Sequence, residues 1–452
     1  MELNLTWEQV ALATGGELRL GSGPSVFSRL FTDSRKTRPD GAFWALQGER
    51  HDAHKYLNAD LAASCTGWVV SNGAQLPSAR PRHLITVGDT RRALADLAAY
   101  HRARFDIPVV GITGTNGKTS VKDMLRSILS QQGPVCANSG NFNNEIGLPL
   151  SVLELTAEHR FGVFEMGASR EGDIRYLCQA ARPTAGLITN IGPAHLEFFG
   201  DIETVLKTKT ELLRALPPEA PIILNGNDPL LAPFAASYID RVRTFGTGDQ
   251  DFVKVDAVAG GAMRLTVEGT SVEIPGKFGA VHRANAAAAA AAALSLGATL
   301  SDAARGLRSY TPSPLRFDVR THSSGAELTV DAYNANPASM RAGIESFLEL
   351  SCGTGRDILV LGDMAELGPE EKRMHEELGV WLSQRPVAEI YLAGPLMRRA
   401  AEVLRRGAKS RVRHFDDASD MAEPLREGLS TGDRVYFKAS RAFGLERLAE
   451  AL

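Results

Sequence analysis

At 452 residues the chain is longer than one hydrophobic core normally organises, so two or three domains are expected. A hydrophobic content of 44% against 23% charged residues is that of an ordinary globular protein, and a formal net charge of −3 supplies no field for nucleic acid. No apolar run reaches the roughly 18 residues of a membrane span, and Met1-Glu2-Leu3-Asn4 opens neither a signal nor a transit peptide, so a cytoplasmic chain that is not membrane-embedded is expected.

Cys65, Cys136, Cys178 and Cys352 are far apart and form no C-x-x-C pair, which fits reduced thiols. Residues 1–83 read as a small α/β domain. Thr6-Trp7-Glu8-Gln9 is a capping start for a helix, and strands are expected at 26–31 and 68–70. The polar stretch Thr32-Asp33-Ser34-Arg35 reads as a solvated turn, although an Arg beside a Ser can also grip a phosphate.

Residues 84–312 read as a central domain in which apolar strands alternate with helices, as in a mostly parallel sheet. Its first strand, 108–112, runs into Gly114, Thr115, Asn116, Gly117, Lys118, Thr119 and Ser120, and a helix follows with Val121, Met124, Leu125, Ile128 and Leu129 on one face. Strand, glycine loop and helix make a phosphate cradle: helix-start N–H groups face the phosphates, Lys118 reaches the terminal ones and the Thr119 hydroxyl suits Mg²⁺. The position five before Gly117 holds Ile112 rather than glycine, so Gly114 takes the turn. The strand at 108–112 and further strands at 161–164, 186–189 and 221–224 are each followed by polar residues: Asn141, Asn143, Asn144 and Glu145 after the first, Glu165 after the second, Asn190, His195 and Glu197 after the third, and Asn225, Asn227 and Asp228 after the fourth. Open α/β sheets place ligands at such carboxyl ends. A β-rich piece at 253–274 leads to a helix with eight alanines, 286–293, which reads as a closely packed element.

Pro312 and Pro314 mark a stiff linker. Beyond it, strands at 328–330, 358–361, 390–392, 412–415 and 435–437 alternate with helices, giving a Rossmann-like domain over 313–452 without a G-x-G-x-x-G dinucleotide signature.

For chemistry, Glu165 stands where a P-loop protein keeps its Mg²⁺-orienting carboxylate. His195 alone reads more simply as a structural histidine, and Lys207 and Lys209 as a solvated helix face. No Ser/His/Asp triad or zinc ligand set appears.

Several motifs in order then carry a family resemblance: Gly114-Thr115-Asn116-Gly117-Lys118-Thr119, Asn141-Phe142-Asn143-Asn144-Glu145, Phe164-Glu165-Met166-Gly167, Pro193-Ala194-His195-Leu196-Glu197, Asp331-Ala332-Tyr333-Asn334-Ala335-Asn336-Pro337 and Leu361-Gly362-Asp363-Met364-Ala365-Glu366-Leu367-Gly368. Over the whole chain it resembles the Mur ligases and the related folylpolyglutamate synthases, most of all the Mur ligases that add D-alanyl-D-alanine. The resemblance implies a three-domain monomer: a UDP-sugar-binding domain (1–83), an ATP-binding ligase domain (84–312) and a C-terminal Rossmann-like domain. It implies ATP and two Mg²⁺ ions as cofactors, and UDP-N-acetylmuramoyl-tripeptide and D-alanyl-D-alanine as substrates. It makes Thr119, Glu165, His195 and a carbamylated Lys209 metal ligands, and Lys118, Glu165, His195 and Lys209 catalytic. It puts Asn285 near adenine, Arg316 near the phosphates and Asp331 near the ribose, alongside residues 114–120. Ser34, Arg35, Asn143, Asn144, Glu145, Asn334 and Asn336 become substrate contacts. The family often has His-Asn where this chain has His282-Arg283, and Gly-Arg where it has Leu315-Arg316. Another amide ligase of the superfamily and a P-loop ATPase switch are the alternative readings.

Overall fold

The computed structural model describes all residues except 1–2, 22–25, 49–50, 194–195, 352 and 354. Met1, Glu2, Ala194, His195 and Cys352 therefore lie outside the described residues.

The first helix, α1 (Trp7–Thr14), starts as its sequence predicts. Thr6 and Gln9 cap each other reciprocally, and Gly15 ends the helix in the left-handed region. Trp7 is thereby buried edge-on to Phe27 and stacked on His83. The strand expected over 26–31 is two strands. Val26–Phe27 pairs antiparallel with Leu5–Thr6, whereas Arg29–Phe31 pairs parallel with Gly41–Trp44. Between them the Ser28 carbonyl accepts from the Leu3 amide, which breaks the run. Gly41–Trp44, completely buried, is a strand that its Pro-Asp-Gly flank concealed. The first sheet has the order Glu17–Leu20, His83–Val87, Gly67–Ser71, Gly41–Trp44, Arg29–Phe31, so it extends past residue 83.

In the central unit β1 (Val109–Thr113) feeds the glycine loop and α2 (Lys118–Leu129). Then come β2 (Phe161–Glu165), β3 (Ala185–Ile188), α3 (Ile202–Lys209), β4 (Ile222–Asn225) and α4 (Ala280–Ser295). Among the described residues its sheet has nine strands, ordered Thr270–Ile274, Met263–Val267, Val253–Ala257, Val242–Gly246, β4, β3, β1, β2, Val135–Ala137. The pairings from Val253–Ala257 to Val135–Ala137 are parallel, and a hairpin extends the far edge antiparallel. β1 to β4 are near-continuous apolar runs because helices cover both faces there. The alanines of α4 lie in one core with Val121, Met124, Leu125, Ile128 and Leu129 of α2, since small side chains let the helices approach closely. The chain enters β1 between β2 and β3, so the carboxyl end of β1 is the switch point at which the crevice opens.

The C-terminal unit is a six-stranded sheet among the described residues, Asp318–Thr321, Glu327–Val330, Arg434–Lys438, Asp357–Gly362, Glu389–Ala393, Arg411–Phe415, parallel except for the first strand. That first strand is half exposed and was not legible in the sequence. In the linker Leu315 (φ 63°) and Phe317 (φ 58°) are left-handed yet bury their side chains. At 315 the backbone takes the conformation that glycine favours. The helix α5 (Pro337–Glu349) begins with Asn336 and Ser339 in a capping box.

Candidate active site

A cavity of about 620 Å³ opens at the carboxyl ends of β1, β2 and β3 and is roofed by the C-terminal unit. All of residues 114–120 line it. At Gly114 (φ 142°) a Cβ would lie 1.9 Å from Thr189 Oγ1, and at Gly117 (φ 83°) 2.4 Å from Asn285 Oδ1. Only glycine fits either position. Ile112 instead stays a buried strand residue paired with Glu165, which is why the loop needs no glycine there. Asn190 clamps Asn116 from both sides, accepting from its amide at 3.0 Å and donating to its carbonyl at 3.1 Å.

Lys118 Nζ folds onto its own loop, donating to the Gly114 and Thr115 carbonyls at 2.9 and 3.1 Å. Desolvation lowers its pKa, Glu165 opposes that shift and Arg316 adds to it. Thr119 Oγ1 donates to Glu165 Oε2 at 2.8 Å, and Asn143 Nδ2 donates to Oε1 at 2.7 Å. Asn138, which sequence reasoning passed over, fixes the Glu165 backbone: its Oδ1 accepts from the Glu165 amide at 2.9 Å and its Nδ2 donates to the Glu165 carbonyl at 3.0 Å.

From beyond the linker, Arg316 reaches Thr119 Oγ1 at 3.4 Å with its guanidinium over the Tyr333 ring. Asn336 Nδ2 donates to Asn116 Oδ1 at 2.9 Å. Asp331 accepts from Tyr436 Oη (2.8 Å) and Lys438 Nζ (2.7 Å), and Lys438 also donates to the Asn334 carbonyl. Lys438 was missed, although a charge closing the apolar strand Arg434–Lys438 is the same signal that picked out Glu165. His282 is buried edge-on to Phe317, and burial lowers its pKa to about 4, with Asp331 opposing.

Lys209 is 3% exposed, lines the cavity, and makes no hydrogen bond or ion pair with a described residue. Its pKa is lowered to about 7, chiefly by burial and next by the Lys118 charge. Lys207 instead points outward to Glu171 at 2.8 Å. The solvated-face reading thus holds for Lys207 and fails for Lys209, because a two-residue step on a helix turns the side chain to another side.

Asn143, Asn144, Glu145, Asn285, Asp331, Asn334 and Asn336 also line the cavity. Asn225, Asn227 and Asp228 do not. Asn225 Nδ2 donates to the Thr189 carbonyl and Asp228 Oδ2 accepts from the Ile191 amide, so the end of β4 braces the β3 loop. Ser34 and Arg35 sit outside the cavity on a turn, where Arg35 is exposed and paired with Asp33 at 2.9 Å. His195 lies outside the described residues.

The donor set near the loop, a hydroxyl (Thr119) and a carboxylate (Glu165), is hard oxygen. Among the described residues no group of three or more His, Cys, Asp or Glu could hold an ion alone. Such a site fits Mg²⁺ that keeps waters and phosphate ligands. The described residues contain no helix long and apolar enough to cross a membrane.

Fold and site together define a three-domain α/β protein built around a phosphate-binding loop that its last domain covers. Residues 112–294 match the Mur ligase middle domain and residues 315–441 the Mur ligase, glutamate ligase domain. The chain belongs to the Mur ligase family. It is 35% identical to the UDP-N-acetylmuramoyl-tripeptide–D-alanyl-D-alanine ligase of Bacillus subtilis, covering 95% of this chain and 93% of that one. Among solved structures it resembles MurF from Acinetobacter baumannii (TM-score 0.89, 31% identity, 99% and 98% covered). It also resembles MurF from Thermotoga maritima in complex with ADP (TM-score 0.81, 30% identity, 94% and 96% covered).

Proposed function

We propose that this chain is the ATP-dependent ligase that joins D-alanyl-D-alanine to UDP-N-acetylmuramoyl-tripeptide, yielding the UDP-linked pentapeptide precursor of peptidoglycan, ADP and phosphate. The observation that carries the reading is one cavity holding Lys118, the Thr119–Glu165 pair and Arg316 from across the linker, in a chain similar over its length to such ligases. A carboxylate does not exchange its oxygen for an amine at neutral pH, so the tripeptide carboxylate oxygen first attacks the γ-phosphorus and ADP leaves. The dipeptide amine then attacks the acyl-phosphate carbon, phosphate leaves, and the nitrogen gives up a proton.

Lys118 exchanges its loop carbonyls for phosphate oxygens, and Arg316 supplies a second positive charge to the transferring group. Thr119 and Glu165 would hold Mg²⁺, and His195 with a carbamate on Lys209 would hold a second ion. Bound Mg²⁺ supplies charge neutralisation on phosphate. The depressed Lys209 pKa supports the carbamate, since the neutral amine is the form that adds CO₂. Asn285 and Asp331 meet the nucleoside, and Asn143, Asn144, Glu145, Asn334 and Asn336 the peptide portions. Ser34 and Arg35 contact the UDP-sugar on the first domain, Arg35 trading Asp33 for phosphate. The roof over the cavity excludes water that would hydrolyse the acyl phosphate.

Phosphate release from ATP, measured with each substrate withheld in turn, tests the reading. Release that needs both substrates and yields the pentapeptide by mass is the expected result. Release indifferent to both marks a P-loop switch and overturns it.

A further inference from the structure

The helix α4 presents His282, Ala284 and Asn285 to the cavity from its first two turns, yet it has no cap of its own. Its N-cap position is Gly279, which offers no side-chain acceptor, and its first turn holds no acidic residue. A side chain at 279 would collide, because a Cβ there would stand 2.7 Å from the Ser346 carbonyl oxygen and 2.8 Å from Ser346 Cβ. The helix-start donors are met from across the linker. Glu349 Oε2 accepts from the Ala280 amide at 2.9 Å, and Ser346 Oγ accepts from the Val281 amide at 2.9 Å. Arg283 completes the joint, donating to Glu349 Oε1 at 2.7 Å and to the Phe278 carbonyl at 2.7 Å.

Glu349 is the last residue of α5, where a carboxylate opposes the dipole of its own helix. Its favourable partner is the positive end of α4. The other end of α5, about 20 Å away at 1.5 Å per residue, is Asn336, bonded to Asn116 of the phosphate loop. One helix of the C-terminal unit therefore grips the central unit twice, at the loop and at the helix whose Asn285 lies against Gly117.

We propose that the last turn of α5 is the N-cap of α4, supplied across the linker, and that Glu349 and Ser346 are positioning residues for nucleotide. Docking of the C-terminal unit completes the cap, the cap orders the first turns of α4, and those turns set His282 and Asn285 against the ligand. The proposal rests on reading the cavity as a nucleotide site. It adds that affinity for nucleotide depends on two residues that do not line the cavity.

The test is calorimetric titration of ADP into the full chain, with KM for ATP and kcat measured in parallel, for wild type, Glu349→Ala, Glu349→Gln and Ser346→Ala. Loss of a charge-assisted acceptor at a helix start predicts ADP affinity and KM for ATP weakened roughly tenfold in Glu349→Ala, with kcat within about twofold. Glu349→Gln, which keeps an acceptor but not the charge facing Arg283, and Ser346→Ala should each lose about threefold. Glu349 is partly exposed, so its variants are expected to fold, and thermal unfolding checks this. ADP affinity equal to wild type in folded Glu349→Ala, or a loss confined to kcat, overturns the cap. A wild type that binds ADP and ligates nothing overturns the ligase reading while the affinity ratios still decide the cap. A wild type that binds no ADP overturns both.

Discussion

Lys207 and Lys209 stand two residues apart on α3, one ion-paired in water and the other sealed in the cavity wall beside Lys118. Lys209→Ala is expected to abolish most ligation and Lys207→Ala to leave it nearly intact. Acetate or formate should partly restore only the first, since a small carboxylate can replace a carbamate oxygen. Equal losses, or no rescue, would return Lys209 to an ordinary lysine. In the chain free of CO₂ and metal, the pKa of the unmodified Lys209 amine also has a stability consequence. The folded value of about 7 lies below the ordinary 10.5, so between them the unfolded chain binds more protons. Stability should therefore rise with pH across that window and fall toward its lower end. Lys209→Met should flatten the slope, as unfolding curves at several pH values would show. Lys118 touches loop carbonyls rather than a core, so Lys118→Ala should lose amide formation while keeping the wild-type unfolding midpoint within a few degrees. Ligation at near wild-type rate would contradict its role.

At the scale of elements, the glycine loop is tied into the strands and helices around it. Gly117→Ala would demand a left-handed alanine and drive its Cβ into Asn285. A destabilisation of about 1–3 kcal/mol with loss of nucleotide binding is expected, read by denaturant unfolding and ADP titration. An alanine variant matching wild type in both would mean that α4 can retreat. The contrast between α1 and the split strand after it shows what local signals reach. Thr6 and Gln9 are three residues apart and cap each other whatever surrounds them. Val26–Phe27 and Arg29–Phe31 separate only because Leu3 pairs at Ser28 from elsewhere in the chain.

On the scale of the whole molecule, Ser313 to Asp123, Arg316 to Thr119 and Asn336 to Asn116 all bridge the proline linker. These, together with the cap that Glu349 and Ser346 supply to α4, are polar contacts that can separate, so the linker at residues 311–315 is expected to act as a hinge. Adding nucleotide and UDP-tripeptide should lower the radius of gyration by X-ray scattering, and a profile unchanged by both would count against the hinge. The sequence by itself determined the α/β alternation, the phosphate loop, Glu165 at a strand end and the family, because each is written in periodicity or in motifs of adjacent residues. Tertiary structure alone decided that the β4 end braces rather than lines the cavity, that Lys209 is buried while Lys207 is not, and that Lys438 holds Asp331. It also decided that α4 is capped by Glu349 and Ser346. These depend on which distant segments meet. The burial and partners that set a side chain's charge and role come from those meetings, and no local spacing encodes them.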